Sequence, residues 1–172
     1  MKRINKIIFL SLLVSIGLAL SVLESSIPLP FVIPGARLGL SNMVILVTLV
    51  IFGFKEAMVV SILKSIVLVL VTGSVSSLMY SLSGGILSGI VMYLAYRYFS
   101  NVFSLIGVSI LGAVGHNIAQ VSTAVYIMSN IRIYSYLPIL LIVGLFTGYF
   151  VGLSSIFISK NLRRTLNHIV NT

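Results

Sequence analysis

Long apolar runs interrupted by short polar or glycine- and proline-bearing stretches set the pattern of this chain, and the runs are long enough to cross a bilayer as helices. Six spans are predicted, at residues 7–23, 38–54, 57–71, 78–98, 105–128 and 137–158. The second and third are close to the lower limit of about 17 residues for crossing the hydrocarbon core, so one of them is expected to tilt or break. Lys55-Glu56 is read as the turn between them. The fold class expected is an all-α polytopic membrane protein in a single domain covering 1–172.

The first run follows Lys2, Arg3 and Lys6 and has the outline of a secretory signal. It is long for one, and Glu-Ser-Ser-Ile-Pro after it lacks a small-x-small cleavage site, so a retained span is expected. Between the first two spans, residues 24–37 and the stretch Pro34-Gly35-Ala36-Arg37-Leu38-Gly39-Leu40-Ser41-Asn42 gather polar groups and backbone breakers. Pro28, Pro30 and Pro34 remove amide donors and fix φ, so this segment is not one regular helix. It reads as a capping loop over a binding site, with Ile33 and Leu38 as a lid.

Composition sharpens the reading. Of 172 residues, 59% are hydrophobic and only 8% charged, which is outside the range of ordinary soluble domains. Eleven Lys and Arg stand against two acids, Glu24 and Glu56, and the basic residues cluster at the ends of apolar runs. With the amino terminus in the cytoplasm and six crossings, eight cations fall inside and two, Arg37 and Arg132, outside. Both termini are then cytoplasmic and the capping loop is external. Cysteine is absent, so disulfides and cysteine-bound clusters are excluded, and no metal or other cofactor is expected.

Polar residues inside the spans are the candidate chemistry. Lys64 falls near the middle of the third span, where an ammonium costs a few kcal/mol unless it snorkels, pairs or faces a polar cavity. In the fifth span His116 and Gln120 lie one helical turn apart with Asn117 beside them, a polar patch expected to face the bundle interior. One histidine without a second ligand at metal spacing makes a poor metal site. Hydrogen bonding between helices accounts for the patch as readily as ligand contact does. Arg37, Asn42, Lys64, Tyr80, His116, Asn117 and Gln120 are the candidate substrate-binding residues, with Glu24 as a charge partner of Arg37 or Lys64. Small residues at spacings of four mark close helix contacts: Ser11, Ser15 and Ala19; Gly17 and Ser21; Gly85 and Gly89; Gly144, Gly148 and Gly152. The first set serves either packing within the chain or docking of a partner.

The Pro34–Asn42 stretch, Tyr80-Ser81-Leu82-Ser83-Gly84-Gly85, Gly112–Gln120 and Tyr136-Leu137-Pro138 together resemble the Gx transporter family, often labelled heptaprenyl diphosphate synthase component I. That family is similar to the substrate-binding S-components of energy-coupling factor (ECF) vitamin transporters. The resemblance implies a six-helix S-component fold in a bacterial cell membrane. It implies uptake of a small organic solute, such as a vitamin or an isoprenoid or quinone precursor. Partners would be a transmembrane coupling subunit and two cytoplasmic ATPases, docking at Ser11, Ser15 and Ala19. The chain has no Walker A sequence, so hydrolysis belongs to the partners. Prenyl chain elongation needs carboxylate clusters that hold magnesium on diphosphate, and a chain without aspartate lacks them, so no enzymatic activity is expected. The alternative is a non-catalytic membrane accessory of a prenyl diphosphate or quinone pathway enzyme.

Overall fold

The structure, a computed structural model, describes residues 3–27 and 37–171, with side chains placed for 4–27 and 37–165. It contains six α-helices: α1 Arg3–Ser26, α2 Asn42–Phe52, α3 Phe54–Thr72, α4 Val75–Tyr98, α5 Leu105–Met128 and α6 Leu137–Asn171, with a short 3-10 helix at Ile131–Tyr136 before the last. No strand occurs among the described residues. Pro28, Pro30, Ile33, Pro34 and Gly35, and with them most of the expected lid, lie outside the described residues.

Local chemistry explains most boundaries. Ser74 and Ser104 cap α4 and α5 by accepting hydrogen bonds from the amides of Ser77 and Gly107. Gly73 closes α3 in the left-handed region. α5 has the bounds expected from its apolar run, whereas α1 extends beyond its run at both ends and α6 beyond its run at the carboxyl end. The break between the second and third runs falls at Gly53, not at Lys55-Glu56. Its φ of 101° is costly for other residues, and its amide donates to the carbonyls of both Thr48 and Leu49, ending α2 after 11 residues. Lys55 and Glu56 lie in the first turn of α3.

Among the described residues four segments, not six, are long and apolar enough to cross a membrane: Ile4–Ser26, Val75–Tyr98, Leu105–Met128 and Ile131–Thr165. α2 fails on length, at about 16 Å. α3 has the length, but it carries Lys55, Glu56 and Lys64.

The helices α1, α3, α4, α5 and α6 touch one another in succession as a curved wall, and α2 touches all five. Val44, Ile45, Leu46, Val47 and Leu49 of α2 are buried, while large apolar side chains on the wall, such as Leu70 and Phe146, remain exposed. Exposed Leu and Phe suit lipid, where packing between helices rests on close van der Waals fit. The glycines of α6 supply that fit. A Cβ at Gly148 or Gly152 would sit 2.9 or 2.6 Å from the Cα of Ile110 or Ile106, so here the α5 and α6 backbones themselves meet.

Candidate functional site

On α3 the inward stripe runs through Ala57, Val60, Ser61, Lys64, Ser65 and Leu68, a helical spacing of three and four. Lys64 therefore points into the bundle. At 1% exposure it does not snorkel, and its Nζ donates to Ser41 Oγ at 2.8 Å. Room for its stem comes from α1, where Gly17 stands so close that a Cβ would lie 3.1 Å from Lys64 Cδ.

Ser41 joins this cation to an anion. Its backbone amide donates to Glu24 Oε1 at 3.2 Å, so Glu24 on α1 and Lys64 on α3 share one residue at the start of α2. Glu24 is 3% exposed and Arg37 5%. Among the described residues no nitrogen of Lys64 or Arg37 comes within 4.0 Å of the Glu24 carboxylate, so the expected charge partnership acts through Ser41 and through space, without a contact ion pair. Burial pushes the Arg37 guanidinium below its ordinary value and the nearby Glu24 carboxylate draws it back up. Arginine remains charged at neutral pH even so.

The fifth helix supplies the opposite wall. His116 Nε2 and Gln120 Nε2 lie 2.9 Å apart, and Gln120 Oε1 accepts from the Arg37 amide at 3.1 Å. Gly39, with φ 81°, brings the chain past both Asn42 and His116, and a Cβ there would lie 3.0 Å from Asn42 Nδ2 and 3.5 Å from His116 Cδ2. Opposite, Gly84 on α4 lies under the imidazole, with His116 Cε1 and Nδ1 each 2.6 Å from its Cβ position.

Glu24, Arg37, Asn42, Lys64, His116 and Gln120 are thus brought into one buried neighbourhood. Asn117 and Tyr80 belong to its margins. Asn117 turns toward α6 and donates to the Leu140 carbonyl at 2.7 Å, while Tyr80 packs in an apolar cluster with Val121, Ala124, Ile133 and Leu140. Ser41, which links the two charges, was not among the expected contacts although it lies within the Gly-Leu-Ser-Asn stretch. The two small-residue faces of α1 part company: Gly17 and Ser21 are buried inside, and Ser11, Ser15 and Ala19 are exposed. Ser11 and Ser15 line an outer groove of about 450 Å³ between α1 and α3.

Burial leaves several polar atoms of the cluster without a hydrogen-bond partner among the described residues: Glu24 Oε2, Arg37 Nη1, both amide atoms of Asn42 and His116 Nδ1. Each such atom costs about 1–3 kcal/mol, more when charged. No group of three or more metal-ligating side chains occurs among the described residues. The arrangement offers donors, acceptors and charge to a polar guest.

A helical bundle with an apolar exterior and helices long enough to cross a bilayer defines a membrane protein. A family model described as heptaprenyl diphosphate synthase component I matches residues 13–158, and the chain belongs to that family. No curated protein and no solved structure matches it.

Proposed function

We propose that this protein is a substrate-binding membrane subunit of the S-component kind, which takes up a small organic solute at the outer face of a bacterial cell membrane and is energised by partner ATPases. The observation that carries the reading is the set of unpartnered buried atoms on Glu24, Arg37, Asn42 and His116 around the Lys64–Ser41–Glu24 link. Structural hydrogen bonding alone leaves such atoms unexplained, whereas a ligand with a negative charge and further polar groups satisfies them. Arg37 and Lys64 supply charge, and Asn42, His116 and Gln120 supply hydrogen bonds. Tyr80 and Asn117 stand at the edge as positioning groups. Ile4–Ser26, Val75–Tyr98, Leu105–Met128 and Ile131–Thr165 then serve as crossings of an S-component, while α2 and α3 bring Asn42 and Lys64 to the binding cluster. The exposed Ser11, Ser15 and Ala19 serve as the docking face for a transmembrane coupling subunit.

Native mass spectrometry of the membrane-extracted protein tests this reading. A retained small molecule, lost in the Arg37→Gln variant, is the expected result. A chain that releases nothing, and whose melting temperature ignores every vitamin and every quinone or isoprenoid precursor, removes the reading.

The family's description favours a second reading, a non-catalytic accessory of a prenyl diphosphate synthase at the membrane. "Component I" implies another component. Co-purification separates the two, since ATPase subunits accompany a transporter and a soluble prenyl synthase accompanies an accessory.

A further inference from the structure

Taken as the binding site proposed above, the cluster at the start of α2 carries a charge and a set of open hydrogen-bonding atoms that select one chemical class of guest. Lys64 and Glu24 offset one another through Ser41, whose hydroxyl accepts from Nζ at 2.8 Å and whose amide donates to Oε1 at 3.2 Å. His116 adds no charge. Gln120 turns its Oε1 to the Arg37 amide, so its Nε2 donates to the imidazole, and the His116 Nε2 that accepts it carries no proton. Among the described residues Arg37 is then the charge of the cluster left without a counterion, and its Nη1 has no hydrogen-bond partner. One negative charge on the guest balances it.

Asn42 adds a directional condition. It is the first residue of α2, it is buried, and among the described residues both its Oδ1 and its Nδ2 are without a partner. A carboxamide offers a donor and an acceptor side by side, and its match is the edge of a ring amide, where N–H and C=O also lie side by side. Glu24 Oε2, likewise unpartnered, accepts a further N–H. A phosphate or diphosphate meets neither condition, since it has no N–H to give and its second negative charge falls beside the buried Glu24 carboxylate. The other end of α2 lacks this selectivity. α2 ends about 15 Å further along its axis at Phe52, next to a cleft lined by Lys55, Glu56, Tyr96 and Arg97. There Glu56 is already paired with Lys6, and Lys55 and Arg97 are exposed to screening.

We propose that the cluster around Arg37, Asn42 and Glu24 selects a monocarboxylate that carries a ring amide or ureide, and that Glu24 turns dianionic phosphates away. Arg37 holds the carboxylate, as a guanidinium does best when the pair is buried. Asn42 pairs with the N–H and C=O of the ring, and Glu24 takes the second N–H of a ureide. Glu24 is thereby the residue that sets the charge of the guest.

Full-length protein in phosphatidylcholine nanodiscs, with empty nanodiscs as blank, is titrated calorimetrically with 5-oxoproline, hydantoin-5-acetic acid and 6-hydroxynicotinic acid. These are ring amides that carry a carboxylate at different spacings. At least one is expected to bind saturably, with its methyl ester and its N-methyl analogue weaker by about tenfold or more. Isopentenyl diphosphate is expected to bind at least about tenfold more weakly than that acid. In Glu24→Gln the ratio of these two affinities is expected to move about tenfold toward the diphosphate, a shift that general loosening of the site does not produce. Asn42→Ala is expected to erase the preference over the N-methyl analogue. A control pair, Lys55→Gln with Arg97→Gln, is expected to change affinity less than about twofold. Absence of saturable binding by all the acids, equal binding of the methyl ester or the diphosphate, or an unchanged ratio in Glu24→Gln overturns the proposal. A retained molecule of other chemistry in native mass spectrometry overturns this ligand class and leaves uptake standing, whereas no retained molecule and no binding removes both.

Discussion

The buried cluster around Lys64 and the cleft around Lys55 hold the same side-chain types, cations with one carboxylate, at opposite ends of α2, yet they differ in nearly every physical respect. In the cluster Lys64 and Glu24 are 1% and 3% exposed and joined through Ser41. In the cleft Lys6 and Glu56 meet directly with side chains 39% and 23% exposed, and Lys55 and Arg97 face outward. Solvent and headgroups screen the second set, so its charges cost little and contribute little to folding. Burial makes each charge of the first set depend on its neighbours. The same chemistry is structural or merely electrostatic according to depth.

That contrast is most exposed to failure at Lys64. Lys64→Met leaves Glu24 buried without its cation and removes the bond to Ser41, and a loss of about 3–5 kcal/mol is expected, read as denaturant unfolding in micelles. Lys55→Met is expected to stay within about 0.5 kcal/mol. Equal effects at the two positions would erase the distinction. Adding Glu24→Gln to Lys64→Met sharpens it, because a coupling energy in the double-mutant cycle reports the interaction through Ser41.

Next in size is Gly84→Ala, which drives a methyl into the His116 ring and is expected to destabilise by about 1–3 kcal/mol while weakening any ligand of the cluster. Asn117→Ala follows at about 1 kcal/mol, from the lost bond to Leu140. If Asn117 only ties α5 to α6, ligand affinity is unchanged; a large loss of affinity would move it from the margin of the cluster into contact with the guest.

The smallest effect belongs to the exposed pair. The hydrogen bond from Lys6 holds the Glu56 carboxyl below its ordinary range. A folded-state pKa below the unfolded one adds stability that is fully present above the unfolded value, roughly pH 4.3, and is lost as pH falls through the lower folded value. Melting curves from pH 6 to 3 are expected to show this contribution, under about 1 kcal/mol, disappear in the wild type and be missing in Glu56→Gln at all pH values.

The wall helices were legible in the sequence because their apolar runs are long and their caps are serine or glycine, and α5 follows its run from Leu105 to Met128. α2 was not, because residues 38–54 are apolar almost throughout and the break depends on one glycine inside that run. Lys64, His116, Gln120, Arg37 and Asn42 stood out as polar groups in apolar surroundings, and burial brings them together. The division between Gln120 and Asn117 was hidden, because positions three apart, only about 60° apart around one helix, reach different partners. Only the packing of α4 and α6 on either side decides which. Ser41 escaped notice because serine is common near helix starts, and its value here comes from where Glu24 and Lys64 stand.

Helix lengths in this chain answer to two different rulers. α4 and α5, 24 residues each, are matched to the thickness of a bilayer. α2 has contact with every other helix and is free of that requirement. Its three turns measure instead how far apart the two polar chambers stand, so adding or deleting a turn there would change their separation by about 5.4 Å and leave the wall's span across the lipid as it was.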